Sequence, residues 1–260
     1  MNPNRKAIRR VALISHYYRG RVVRGKQRYR DLSEHAARIH KRADQYGCDT
    51  VVYCLHSWDD RSPVQRSDTV MFGGLRSVQR VVLETGEPIA VIGPVEIWER
   101  GKPPTLSIQR FGRSGEPPGQ KQQLIDELPG RQIGPNGLLL ICGESNIVSL
   151  NRSTGRMRDP FGINGQLRRL GINVILNGLH SYMRRPEMQK KRAYLSRQGR
   201  TVLTVWPQGR WANEARLPWA VWHDGENRIG CVKEILPRFT DRPDIRIGVV
   251  DLEELRRKPS

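Results

Sequence analysis

Leu138-Leu139-Leu140-Ile141-Cys142-Gly143-Glu144-Ser145-Asn146 is the stretch on which the fold turns. Four consecutive aliphatic residues predict a strand covered on both faces, because a strand with one wet face alternates apolar and polar positions instead. The run stops at a cysteine, a glycine and a polar cluster. A cysteine at a strand end, with a tight turn after it, suits a nucleophile: the strand fixes the sulfur, and N–H groups of the turn stabilise a thiolate. The same residue type also serves as a small buried filler in a core strand.

Working outward, the chain alternates strand and helix signals. Upstream, Val11 to His16 reads as a short apolar strand, and residues 17–29, rich in Arg, Gly and Tyr, as a loop. Asp31 or Ser33 caps a helix to about Tyr46, with Leu32, Ala36, Ile39 and Ala43 on one face and Gly47 at its end. Asp49 to Leu55 is a second strand, Asp59 to Ser67 a loop, Thr69 to Glu84 a second helix closed by Gly86, and Pro88 to Gly93 a third strand. Glu99 to Lys102 is a turn and Pro104 to Phe111 a paired strand. Residues 112–137 read as a long polar loop, a feature that inside a compact domain is more often functional than idle. Downstream come a helix near Phe161 to Leu170, a strand at Asn173 to Asn177, a helix from Glu187 to Gln198 opened by Pro186, and a strand at Thr201 to Trp206. The tail gives strands at Trp219 to Trp222, Ile229 to Val232 and Ile245 to Val250, with a turn at His223 to Glu226. Such alternation argues a layered α/β fold, and the paired tail strands add antiparallel neighbours, hence mixed sheets. The organisation expected is a basic leader over 1–10, one domain over 11–252, and a polar tail over 253–260.

Composition bounds the partners. The 260 residues are 37% hydrophobic, enough for a globular core, and carry a formal net charge of +19. Charge of that size predicts weak, salt-sensitive binding of nucleic acid or other polyanions, although no nucleic-acid motif appears. Cys48, Cys54, Cys142 and Cys231 form no CxxC pair and look like neither a zinc site nor a disulfide framework. No apolar run approaches a membrane span and the basic N-terminus lacks a signal-peptide core, so no membrane association and a reducing cytoplasm are expected.

In the order and content of these pieces the chain resembles the nitrilase, or carbon–nitrogen hydrolase, superfamily over about residues 10–252. Tyr46-Gly47-Cys48-Asp49 before Val51-Val52-Tyr53 looks like that family's first unit. Leu139 to Glu144 looks like its nucleophile elbow, where the cysteine precedes an aromatic residue and an acid. Gly171 to Asn177, residues 187–206, Trp219 to Glu226 around its Asp-Gly turn, and Ile247 to Leu252 resemble the pieces that follow. The resemblance implies a four-layer α-β-β-α sandwich with mixed sheets, a homodimer, and no cofactor or metal. It also implies amide hydrolysis by a Glu-Lys-Cys triad, in which the cysteine forms a thioester, the glutamate moves the proton and the lysine stabilises the oxyanion.

Carried over residue by residue, Cys142 matches the nucleophile, Lys121 the lysine, and Glu127 a second, assisting glutamate. The family's base follows the second strand, where this chain has Cys54-Leu55 in place of Pro-Glu. His56, one residue further on, titrates near neutrality and is the candidate replacement, with Asp59 and Asp60 as loop carboxylates of longer reach. Two alternatives to a hydrolase follow: an inactive module that binds a partner or polyanion through its basic surface, and acyl transfer from the thioester to an amine.

Overall fold

The computed structural model describes residues 7–17, 19–23, 26–29, 32–55, 57, 70–75, 95–98, 105–112, 115–179, 186–208 and 217–257. Its first sheet holds β1 (Arg10–Ser15), β4 (Thr50–Tyr53), β5 (Val70–Leu75), β6 (Val95–Trp98), β7 (Thr105–Ser107), β16 (Lys233–Glu234) and β17 (Arg246–Asp251). Their order is β16-β17-β1-β4-β5-β6-β7. The pairs β1/β4 and β4/β5 are parallel, whereas β17, β6 and β7 join antiparallel. The second sheet holds β8 (Gln132–Ile133), β9 (Gly137–Ile141), β12 (Val174–Gly178), β13 (Thr201–Val205), β14 (Trp219–His223) and β15 (Glu226–Asn227), in the order β15-β14-β13-β12-β9-β8. Here β9, β12 and β13 run parallel, and the outer strands antiparallel. Two small hairpins complete the strands: β2 (Arg19–Val23) with β3 (Lys26–Tyr29), and β10 (Ser149–Leu150) with β11 (Met157–Arg158). Both sheets are mixed and the class is α/β.

Side-chain alternation sorts the strand residues into separate cores. Val11, Leu13, Val52 and Cys54 from the first sheet share one core with Leu139, Ile141, Val174, Leu176, Leu203 and Val205 from the second. The residues between them point the other way. Ala12, Ile14, Val51 and Tyr53 pack with Ala36, Ile39 and Ala43 of α1 (Ala36–Gln45). Leu138, Leu140, Ile175 and Val202 pack with residues of α2 (Pro118–Glu127), α3 (Ile163–Arg169) and α4 (Pro186–Leu195). A strand needs period-2 exposure only when one face is wet. These strands are covered on both faces, and so they read as continuous apolar runs.

Several predicted segments take a different form. Residues 17–29 include the β2–β3 hairpin rather than forming a plain loop. Val70–Leu75 is a strand beside β4, not the start of a helix; the helix expected over 69–84 otherwise falls outside the described residues, as does the strand expected over 88–93. The expected loop over 112–137 contains α2, with Pro118 in its first turn, where a missing N–H costs nothing. Ile229–Cys231 is a 3-10 turn before β16. Leu252–Arg257 is a short helix, α5, whose Leu252 and Leu255 reach the core between the sheets. Its first turn is capped by Asp251, which accepts from the N–H groups of Glu253 at 2.9 Å and Glu254 at 3.0 Å.

The sheets are stitched at both strand ends. At the start, Ile8 N–H donates to Asn136 Oδ1 at 2.8 Å. At the finish, Ser15 Oγ donates to the Trp206 carbonyl at 2.7 Å, and Leu55 N–H donates to the Leu179 carbonyl at 3.0 Å. The C-terminal ends of β1, β4, β9, β12 and β13 therefore share one edge. Among the described residues no helix is long and apolar enough to cross a membrane.

Candidate functional site

Strand β9 delivers Cys142 to that edge. All five of its residues are buried between β12 and β8. Cys142 follows Ile141 into the core between the sheets, is 1% exposed, and opens a 3-10 turn over Cys142–Ile147. Its φ of +46° lies in the left-handed region, which costs a non-glycine residue about 1–3 kcal/mol and persists only when surrounding contacts fix it.

Those contacts are identifiable. A Cβ on Gly143 would stand 2.2 Å from the carbonyl oxygen of Gly112 and 2.7 Å from its Cα. Residue 143 must therefore lack a side chain, and an aromatic residue at this position would have no room. Glu144, fully buried, turns back on the strand: its carboxylate accepts from Ile141 N–H and from Arg110 N–H, each at 2.8 Å. Arg131 closes the arrangement, 2.6 Å from Glu144 and also donating to the Ile108 carbonyl at 2.7 Å. Burial pushes the Glu144 carboxyl up, against the pull of Arg131 and the two backbone donors. On the far side of the turn, Asn146 Nδ2 donates to the Gly112 carbonyl at 2.8 Å. Buried Lys191 of α4 donates to Asn146 Oδ1 at 2.6 Å and pairs with Glu187 at 2.7 Å. From β12, Asn177 Nδ2 donates to the carbonyls of Leu140 at 2.8 Å and Cys142 at 3.3 Å. Segment 108–112 is thus bound to the cysteine turn from three directions.

The residues picked from sequence sit as follows. Lys121 lies on α2, mostly buried, its amine 5.9 Å from the ring centres of both Phe111 and Phe161. Glu127 ends α2 and is held by Arg110, whose Nε is 2.8 Å away, and by Arg131 at 3.1 Å. Burial raises the Glu127 carboxyl, but the two guanidiniums outweigh it and leave it below the usual carboxylate range. Arg131 thereby joins Glu127 to Glu144, two residues beyond Cys142. Leu55 is fully buried in the same core as Cys142. His56, Asp59 and Asp60 lie outside the described residues.

Sequence reasoning missed Arg131, Arg110, Asn177 and Lys191 as builders of the turn. The local signals were the Glu127/Arg131 and Glu187/Lys191 spacings of four, which on a helix bring opposite charges together. The other cysteines differ in environment: burial pushes the thiols of Cys48 and Cys54 up to about 12, which suppresses their thiolates, while Cys231 is partly exposed.

No family model matches the chain, and no curated protein matches it. Among the solved structures it resembles is the glutamine-dependent NAD+ synthetase from Acinetobacter baumannii in complex with adenosine diphosphate, with a TM-score of 0.43 and 14% identity. The match covers 86% of this chain and 43% of that one, so the chain spans less than half of its length.

Proposed function

We propose that the chain is a carbon–nitrogen hydrolase-like protein of four-layer α-β-β-α nitrilase type, acting on an amide-type substrate through Cys142. The observation that carries this is the backbone of Cys142: a buried strand-end cysteine held at φ +46° by a clamp of hydrogen bonds and a glycine contact. A filler residue needs no such geometry. The sharing of one apolar core by both sheets, with helices against their other faces, supports the sandwich. In the proposed step the Cys142 thiolate attacks the amide carbon, a C–S bond forms, and the C–N bond breaks as the amine takes up a proton. Water then hydrolyses the thioester. Lys121 is the cation proposed to face the oxyanion. His56 is proposed as the proton donor to the amine.

Glu127 and Glu144 are poor candidates for that proton transfer, because each is fixed in an ion pair with Arg131. Together with Leu55 in the position of the family's glutamate, this favours as second reading a catalytically inactive module that binds a partner through its basic surface.

The test is acyl-enzyme trapping. The full chain is incubated with a panel of small amides and esters, quenched in acid, and weighed by mass spectrometry. A mass increment on the Cys142 peptide, absent in Cys142→Ser, is the expected result. No adduct from any substrate, in a protein whose Cys142 also fails to react with iodoacetamide in a Cys231→Ser background, selects the inactive module.

A further inference from the structure

At the strand ends opposite Cys142, a cavity of about 400 Å³ opens between α3 and the turn that precedes β13. It is lined by Arg168, Gly171, Ile172, Gln198 and Arg200. The register Val174–Gly137–Thr201 puts Arg200 at the N-terminal edge of the parallel strands, while Gly178–Ile141–Val205 puts Cys142 at the other. Five residues of strand, roughly 17 Å, separate the two ends.

Two guanidiniums meet in this cavity on one neutral oxygen. Gln198 Oε1 accepts from Arg200 Nη1 at 3.0 Å and from Arg168 Nη2 at 3.4 Å. Arg200 is 3% exposed, and its other described bonds also go to neutral acceptors: Nε to the Leu195 carbonyl at 2.9 Å and Nη2 to Asn164 Oδ1. Among the described residues neither arginine has a carboxylate within ion-pair distance. The nearby carboxylates are otherwise engaged: Asp159 accepts from Ile163 N–H at 2.9 Å and from Asn164, and Asp224 from Gly199 N–H at 3.2 Å. A buried guanidinium without a carboxylate is costly, and N–H groups remain on both arginines for a further acceptor. Burial, and then the charge of Arg168, disfavour the protonated form of Arg200, which is the condition a bound anion relieves.

The backbone is arranged to the same end. Gln198 has φ +65°, a conformation that costs a non-glycine residue, and this turn carries the side chain that bridges the arginines. Four of the carbonyls at the end of α3, which would repel an anion, are occupied. Gln166 and Arg168 accept from Leu170 and Gly171, Leu167 accepts from Ile172, and Leu170 accepts from Gln132 Nε2. Arg168 and Arg200 contribute the cationic donors of the lining.

We propose that this cavity binds one phosphate-class oxyanion, held in the fork of Arg168 and Arg200, with the Gln198 carboxamide oxygen occupying the anion's place until it arrives. Planar guanidiniums suit such anions because they offer paired, parallel N–H donors. The site does not depend on the chemistry of Cys142.

The experiment is calorimetric titration of inorganic phosphate into the full chain at constant ionic strength, with chloride as the balancing anion so that the net charge of +19 contributes no differential binding. One saturable site per chain is expected. Arg168→Gln, an exposed position that spares the fold, weakens it about tenfold or more, as loss of a charge-assisted hydrogen bond does. Arg38→Gln, on α1 and paired with Asp241, leaves it unchanged. A single-stranded RNA oligomer that phosphate displaces, and that Arg168→Gln releases, assigns the anion to a phosphodiester backbone. An oligomer indifferent to both assigns it to a phosphate monoester. Absence of saturable phosphate binding, or equal affinity in Arg168→Gln and the wild type, overturns the proposal.

Discussion

The N–H of Leu55 donates to the carbonyl of Leu179 at 3.0 Å, tying the end of the β4 segment in one sheet to the end of the β12 segment in the other. The bond fixes the Leu55 side chain in the core that also contains Cys142. A carboxylate substituted there enters the same core, which is where the resemblance calls for the proton-transferring group. Leu55→Glu is expected to remain folded, at a stability cost of a few kcal/mol for a poorly solvated carboxyl, and to raise amide hydrolysis above wild type. Circular dichroism and amide turnover of the purified variant check both halves. A folded Leu55→Glu without any gain places Leu55 away from the reacting carbon.

Arg131 and Glu144 form a buried pair whose members are 3% and 0% exposed. Removing one member of such a pair strands the other, so Arg131→Met is expected to cost about 3–5 kcal/mol in urea unfolding. Glu144→Gln keeps an acceptor for one backbone N–H and should cost less. Protonation discharges a stranded Glu144, so the Arg131→Met deficit should shrink as pH falls toward 5. A deficit under about 1 kcal/mol, typical of an exposed pair, would show that Glu144 is not enclosed as described.

The β9 run, α3, β12, α4, β13 and β14 were legible because each carries its own periodicity or a boundary residue such as Pro186. Helix α2 was not. Only Lys121, Leu124 and Ile125 of its residues are buried, and the Gly-Pro-Gln-rich composition around them masks the three-residue step from Lys121 to Leu124. Val70–Leu75 was misread as helix because its two glycines favour neither state, and pairing with distant β4 and β6 decides it. Cys142 stood out locally, but its support did not. Arg110 lies 34 residues from Glu144 and Arg131 lies 13, and in a chain with 45 Lys and Arg no charge marks itself as the buried one.

His40 lies on the buried face of α1, where its Nε2 shares a 2.7 Å hydrogen bond with the Tyr53 hydroxyl. Burial pulls the imidazole down to about 4. A group whose folded pKa is depressed contributes stability that is present above its unfolded value, near 6.5, and is lost as pH falls toward the folded one. Between pH 7.5 and pH 5.0 the linkage amounts to roughly 2 kcal/mol. His40→Gln retains a partner for Tyr53 but does not titrate. The stability difference between wild type and His40→Gln, measured by urea unfolding at both pH values, should therefore narrow by about that amount on acidification. A difference independent of pH would show that His40 is not held neutral.

Gly143 is the narrowest point of the cysteine turn. A methyl group at its Cα would stand 2.2, 2.7 and 2.8 Å from the O, Cα and C atoms of Gly112. All three are backbone atoms, so no side-chain rotation relieves the overlap. Relief must come from moving segment 108–112, which Arg131 holds at Ile108, Glu144 at Arg110, and Asn146 at Gly112. Gly143→Ala is expected to cost about 1–3 kcal/mol by overpacking, and more if the clamp yields. The turn must then shift or the clamp must open, and in either case the sulfur of Cys142 moves from its fixed place. Iodoacetamide labelling of Cys142 should change rate even where the variant stays folded, whereas Gly130→Ala, with open space around its Cα, should leave both stability and labelling near wild type. Unchanged stability and labelling in Gly143→Ala would mean that segment 108–112 does not hold the cysteine turn, and that the left-handed backbone at Cys142 has another cause.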